Sequence, residues 1–160
     1  MSLPRPNLLR FTHLLAFGLG SGLAPKAPGT FGTLAAVPFY LALAPLPLPM
    51  YLMIVLVTFS LGVGICEITS RDLGVHDHPG IVWDEFVGLW ITLIGAPAGW
   101  PWVVAGFVLF RIFDILKPWP VRWADRRVGG GLGIMLDDAL AGLYALGILQ
   151  ATAWWFSSAP

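Results

Sequence analysis

The chain has 160 residues, of which 57% are hydrophobic and 11% are charged, and its mean hydropathy is +0.78. An ordinary soluble domain carries about 25% charged residues, so this composition excludes that class and favours an integral membrane protein. Nine basic and nine acidic side chains give a formal net charge of zero. That balance argues against a surface for nucleic acid or another polyanion.

The N-terminal stretch carries Arg5 and Arg10 ahead of apolar residues, which superficially suggests a signal peptide. Glycines and Lys26 interrupt the stretch early, so we expect it to be retained. Beyond it, apolar periodicity predicts a single all-α domain over residues 1–160, built as a polytopic bundle of about five membrane-embedded helices. The predicted segments lie at about 31–44, 50–66, 86–96, 102–117 and 137–156.

Only the last segment approaches the roughly 20 residues of a full span, and segment 86–96 is a candidate for a half-helix. Proline-rich turns at 45–49 and 96–101 predict short hairpins. With five crossings, every charged loop returns to the same face of the membrane. The positive-inside rule makes that face cytoplasmic, which predicts a multi-pass protein of the inner membrane.

The first polar segment, residues 18–33, is rich in glycine, so its backbone can pass close to a ligand. We expect Thr30 to cap the first membrane helix, whose N-terminus then favours an anion. Gly29, Thr30 and Lys26 would suit a phosphate group, although a glycine-rich turn without a ligand is the alternative. The segment is not a P-loop, because the Gly-Lys-Ser/Thr order is missing.

The next polar segment, residues 76–86, combines two histidines with an Asp-Glu pair. Asp84 and Glu85 fall at a helix start, where the helix dipole alone favours carboxylates. The pair also offers several hard oxygen ligands, which Mg²⁺ prefers. His76 and His78 could ligate a metal or shuttle protons, or they could lie in a solvated loop.

Three charged residues end the fourth apolar segment. Arg111, Asp114 and Lys117 are three residues apart, so on a helix they share one face. Ionisable groups at the membrane are costly unless they face a polar cavity. They would therefore either line a site or form an ion ladder that caps the bundle.

A second carboxylate pair, Asp137 and Asp138, follows the glycine stretch 129–133. We expect a flexible glycine loop that leads to a helix start, where the pair either caps the helix or joins a site. With Asp84, Glu85 and Asp114, five carboxylates would converge at one face and repel one another unless a divalent cation neutralises them. Acids for Mg²⁺ and bases for phosphate favour metal-assisted attack of water on a phosphate ester at a lipid surface, with a covalent intermediate left open.

Over residues 10–150 the chain resembles the phosphatidylglycerophosphatase A family. The resemblance is carried by residues 18–34 (GLGSGLAPKAPGTFGTL), 76–88 (HDHPGIVWDEFVG) and 110–142 (FRIFDILKPWPVRWADRRVGGGLGIMLDDALAG). It implies a bacterial inner-membrane enzyme that hydrolyses phosphatidylglycerophosphate to phosphatidylglycerol and inorganic phosphate with Mg²⁺. The partner it implies is a phospholipid in the bilayer.

The resemblance also implies the site residues. Its acidic positions match Asp84, Glu85, Asp114, Asp137 and Asp138, and its basic and loop positions match Lys117, Arg122, Gly29 and Thr30. Our interpretation assigns Mg²⁺ to four of the acids, all except Asp114, which joins them or orients the attacking water. Lys117, Arg111 and Arg122 would bind the terminal phosphate. The residues expected to carry catalysis are Asp84, Asp114, Lys117 and Asp138.

Other functions stay open at this point. A phosphatidyltransferase of the CDP-alcohol class would resemble D-G-x2-A-R followed by G-x3-D-x3-D, a pattern that does not occur here. A small cation transporter or binding protein could use the same carboxylates, but the distal helix halves carry no charge to continue a polar path. A purely structural subunit is the remaining alternative.

Overall fold

A computed structural model describes residues 4–75 and 78–158, and this part of the chain is helical without any β-strand. The helices are α1 (Phe11–Ala16), α2 (Pro28–Leu43), α3 (Leu48–Leu73), α4 (Trp83–Thr92), α5 (Trp100–Leu116), α6 (Val121–Arg127) and α7 (Gly130–Ser158). A 3₁₀ segment, Gly18–Leu23, connects α1 to α2. The all-α prediction is confirmed, and the five predicted apolar segments coincide with α2, α3, α4, α5 and α7.

Two of the helices, α3 and α7, are long and apolar enough to cross a membrane. They have 26 and 29 residues, which corresponds to about 39 and 43 Å at 1.5 Å per residue. Both exceed the hydrocarbon thickness of about 30 Å. Both are also longer than predicted, because their polar ends continue the helix beyond the apolar residues.

The short helix α4 forms the centre of the bundle. Its ten residues measure about 15 Å, half the hydrocarbon thickness. Residues 85–92 are all buried, because α4 packs against α2, α3, α5 and α7. The length agrees with the half-helix predicted for this segment.

Glycines allow the central helices to approach closely. A Cβ atom placed on Gly142 of α7 would lie 2.6 Å from the carbonyl oxygen of Gly88 of α4. A Cβ atom on Gly88 would in turn meet the ring of Phe110 of α5. Small residues at such crossings are the usual means by which membrane helices pack, since lipid supplies no hydrophobic driving force between them.

The prediction that Thr30 caps α2 is wrong. The helix begins at Pro28 and its N-cap is Ala27, so Thr30 lies inside the first turn. Proline suits the first helical position, because its φ is already helical and its missing N–H would have no partner there.

The prediction of a flexible glycine loop before Asp137 is also wrong. Helix α7 already begins at Gly130, which places Asp137 and Asp138 about two turns inside it. Gly131 lies directly against the carbonyl oxygen of Val63, so the glycines serve to start α7 in contact with α3. The carboxylate pair therefore does not cap a helix.

The close contact at Gly131 can be tested by adding one methyl group. In Gly131→Ala the new Cβ would overlap the Val63 carbonyl oxygen and lie 2.6 Å from the Glu67 nitrogen. These are backbone atoms that cannot rotate away, so we expect a loss of about 1–3 kcal/mol in the free energy of unfolding. Thermal unfolding of the purified protein in detergent measures this loss.

The matched control is Gly147→Ala in the same helix. A Cβ atom on Gly147 would have nothing within 4 Å. Helix propensity alone should then stabilise the variant, by up to about 1 kcal/mol. Equal melting temperatures for the two variants would contradict the contact between α3 and α7.

Candidate active site

A cavity of about 230 Å³ lies where α4, α5, α6 and α7 meet. Six carboxylates line it: Asp84, Glu85, Asp114, Asp125, Asp137 and Asp138. The structure thus brings together all five acids that the sequence placed at one face, and it adds Asp125. Lys117 also lines the cavity.

Glu85 is fixed by helices on two sides. Arg111 of α5 forms an ion pair with Glu85 and a second one, at 2.7 Å, with Asp114. The hydroxyl group of Thr33 in α2 lies 2.7 Å from Glu85 Oε2 and can donate to it. A Cβ atom on Gly29 would overlap the Glu85 carboxylate, so α2 begins in contact with this cluster.

Lys117 connects two other carboxylates of the cavity, one from α6 and one from α7. Its ammonium group donates to Asp125 Oδ1 at 2.5 Å and to Asp137 Oδ2 at 2.7 Å. Burial alone would lower the pKa of Lys117, but the hydrogen bonds and charges of the two carboxylates raise the pKa above its ordinary value. Lys117 therefore stays cationic at physiological pH and does not serve as a proton acceptor.

Asp138 is the most deeply buried carboxylate of the cavity. Its exposed fraction is 3%, and its Oδ2 atom has no hydrogen-bond partner among the described residues. A buried charge without a partner is costly, and the interior position in α7 rules out helix capping as its reason. By contrast, Asp84 and Glu85 do lie in the first turn of α4, as predicted.

The cavity residues fit Mg²⁺ by their chemistry. Carboxylate oxygens are its preferred protein ligands, and the Asp138 Oδ2 atom is available for one. No group of three or more acidic, histidine or cysteine side chains surrounds a single metal position within residues 4–75 and 78–158. Water would therefore supply the other ligands, as is usual for Mg²⁺.

Three predicted phosphate contacts do not line this cavity. Lys26 is exposed in the loop before α2, and Thr30 lines a separate apolar groove along α5. Arg122 of α6 lies in a surface depression beside two exposed indoles, those of Trp119 and Trp123. The other predicted phosphate contacts, Gly29, Arg111 and Lys117, adjoin the carboxylates.

His78 is placed differently from either predicted role. His78 is buried, and its Nδ1 atom accepts a hydrogen bond from the Gly80 N–H group at 3.0 Å. This leaves Nε2–H to donate to the Pro4 carbonyl oxygen at 3.1 Å, so His78 fixes the N-terminal segment. His76 lies outside the described residues.

Sequence reasoning missed Thr33, Asp125 and His13. Thr33 follows Gly29 by one helical turn, and this spacing was the available signal for a shared face. Asp125 lies eight residues after Lys117, across a turn whose geometry the sequence did not indicate. His13 lies 3.1 Å from Asp72, away from the cavity.

A stability measurement can separate a structural from a functional role for Asp138. Asp138→Asn keeps the size of the side chain and replaces a carboxyl group whose charged form is disfavoured by burial and by neighbouring carboxylates, so we expect stability equal to the wild type or up to about 2 kcal/mol higher in the presence of EDTA. Asp137→Asn removes an ion pair with Lys117 and should lower stability. Thermal unfolding decides, and strong destabilisation by Asp138→Asn would assign that carboxylate to the scaffold.

Comparisons with known proteins identify the family of this chain. The family model described as phosphatidylglycerophosphatase A matches residues 14–153. A protein named phosphatidylglycerophosphatase A from Escherichia coli strain K12 is 56% identical over 138 residues, which cover 86% of this chain and 80% of that one. Its namesake from Haemophilus influenzae is 46% identical over 155 residues, which cover 96% and 95%.

A third relative carries another name. A Bacteroides thetaiotaomicron protein, provisionally named a phosphatidylinositol-3-phosphatase, is 40% identical over 158 residues, which cover 94% of this chain and 97% of that one. No solved structure matches the chain.

Proposed function

The chain belongs to the phosphatidylglycerophosphatase A family, and we propose that it hydrolyses the terminal phosphate of phosphatidylglycerophosphate at the cytoplasmic face of the inner membrane, with Mg²⁺. The observation that carries this proposal is the cavity of six carboxylates with two cations beside it, in an apolar helical bundle. Carboxylates can hold a metal ion and cations can bind a phosphate group, and metal-assisted hydrolysis of a phosphate ester uses both.

The acidic residues would have two roles, metal binding and orientation of the attacking water. Asp84, Glu85, Asp137 and Asp138 would hold Mg²⁺ directly or through water, and the ion would lower the pKa of bound water and stabilise developing charge on phosphate oxygens. Asp114 lies at the same cavity, where it would accept a hydrogen bond from the attacking water and orient it.

The basic residues bind the phosphate. Arg111 and Lys117 each hold a different pair of carboxylates: Arg111 pairs with Glu85 and Asp114, and Lys117 pairs with Asp125 and Asp137. Part of their charge would pass to the phosphate oxygens as these approach, which stabilises the transition state. Arg122, Lys26 and Thr30 would contact the substrate outside the cavity.

The exposed residues of α6 indicate which side of the membrane the cavity faces, and therefore how the lipid headgroup reaches it. Arg122, Arg126 and Arg127 of α6 are exposed beside Trp119 and Trp123, and among the described residues none of the three arginines has an ion pair. Exposed indoles and arginines together are typical of the cytoplasmic interface of a membrane protein. We place the open side of the cavity there.

A cation transporter is the weaker alternative. Transport would need a polar path from the cavity to the far face. The core beyond the cavity is instead filled by apolar side chains such as Leu89, Phe110 and Leu149, each at most 1% exposed.

The proposed orientation can be tested by labelling single cysteines in a Cys66→Ser background. Ala98 is exposed in the turn before α5, and Ala98→Cys should react with a membrane-impermeant maleimide in spheroplasts. Arg126→Cys should react only in inverted membrane vesicles. The reverse pattern would place the cavity on the periplasmic side.

The activity can be tested by measuring phosphate release from phosphatidylglycerophosphate by the detergent-purified protein. We expect release with Mg²⁺ and none with EDTA. Asp84→Asn and Asp138→Asn should each lower kcat at least about 100-fold, since each removes a proposed metal ligand. Asp72→Asn, an acid outside the cavity, should keep wild-type turnover.

The same assay with phosphatidylinositol 3-phosphate tests a second substrate, suggested by the name of the Bacteroides relative. We expect a kcat/KM for phosphatidylglycerophosphate that exceeds it. If a folded sample releases phosphate only from the inositol lipid, the proposed substrate is wrong.

A further inference from the structure

An apolar groove of about 360 Å³ runs along the outside of the bundle between the start of α2 and the last turns of α5. Its floor is formed by apolar side chains of α5, including Val108, Ile112 and Ile115, which are 48%, 43% and 67% exposed. Two polar residues, Thr30 and Arg111, also line it. The groove is thus apolar along its length with polar groups in its wall.

Arg111 joins the groove to the carboxylate cavity. Its side chain lines the groove, and its guanidinium group forms ion pairs with Glu85 and Asp114, which line the cavity. The Nε atom of Arg111 is buried and has no hydrogen-bond partner among the residues that the structure describes. A buried donor without an acceptor is costly, so this position favours a ligand oxygen.

The groove also has the length of one bilayer leaflet. Its lining residues extend along α5 from Phe107 to Leu116, nine steps of the helix, or about 13 Å. Half of the hydrocarbon core measures about 15 Å. A chain that begins at the membrane surface beside Arg111 can therefore lie along the groove without leaving its own leaflet.

We propose that this groove holds an acyl chain of the phospholipid substrate while its phosphate group occupies the carboxylate cavity. The proposal rests on the proposed function. It adds the route by which the phospholipid enters, which is lateral, directly from the bilayer past Arg111. An acyl chain gains little by exchanging lipid for an apolar groove, because both surroundings are equally apolar. The apolar contacts of the groove therefore add little affinity, but the chain must enter the groove before the phosphate can reach the cavity, so a blocked groove hinders substrate binding.

The test fills the groove with a bulky side chain. Ile112→Trp places an indole on its floor. Val104→Trp is the matched control, because Val104 lies on the same helix, is 56% exposed and does not line the groove. Phosphate release is measured with dioleoyl phosphatidylglycerophosphate in mixed micelles and with its water-soluble deacylated headgroup.

We expect Ile112→Trp to raise KM for the diacyl substrate roughly tenfold, as overpacking of a well-fitted site does, with kcat within about twofold of the wild type. Turnover of the deacylated headgroup should be unchanged, and Val104→Trp should act as the wild type on both. If the wild type does not hydrolyse the deacylated headgroup, the test rests on the difference in KM for the diacyl substrate between Ile112→Trp and Val104→Trp.

Three results would overturn the proposal that the groove holds an acyl chain. One is an unchanged KM in Ile112→Trp, which would mean that ordinary bilayer lipid fills it. Another is an equal loss on both substrates, which would mean that the indole only displaces Arg111. The third is an equal rise of KM in both variants. If the wild-type protein releases no phosphate at all, the proposed function is wrong, and the acyl-chain proposal, which rests on it, is wrong as well.

Discussion

Mutual repulsion among the six carboxylates around one small cavity is the constraint on which the rest of this structure depends. Two like charges 4 Å apart repel by about 4 kcal/mol at an effective dielectric constant of about 20. Arg111 and Lys117 each hold two carboxylates, and the dipole of α4 favours Asp84 and Glu85 at its first turn. The negative charge that these groups leave uncompensated is what the proposed Mg²⁺ would neutralise.

The helical bundle places these charges without exposing its core. Gly88 and Gly142 bring α4 into close contact with α7, and the start of α2 at Gly29 touches Glu85. Each acid therefore comes from a helix whose position is fixed by packing rather than from a mobile loop. Such placement is what holds repelling groups at a common site.

Much of this could be read from the sequence, because the absence of charge over long stretches marks helices and the clustered acids mark a site. The exact helix starts and the side-chain partners could not be read from it. The start of α7 was misplaced because Gly131 owes its role to the neighbouring backbone of α3. The start of α2 was misplaced although Pro28, which suits the first helical position, was a local signal for it. The partners of His78 and Thr33 lie 74 and 52 residues away along the chain, which no local pattern encodes. Asp125 reaches Lys117 across a turn whose geometry the sequence did not indicate.

The burial of α4 bears on how the chain is made. α4 is too short to cross the hydrocarbon by itself, and one of its main packing partners is α7, which is synthesised after α1 to α6. Until α7 arrives, Gly88 of α4 lacks its contact with Gly142, and two of the six cavity carboxylates, Asp137 and Asp138, are missing. The docking of α7 is therefore the step that both closes this side of the bundle and completes its charged cavity.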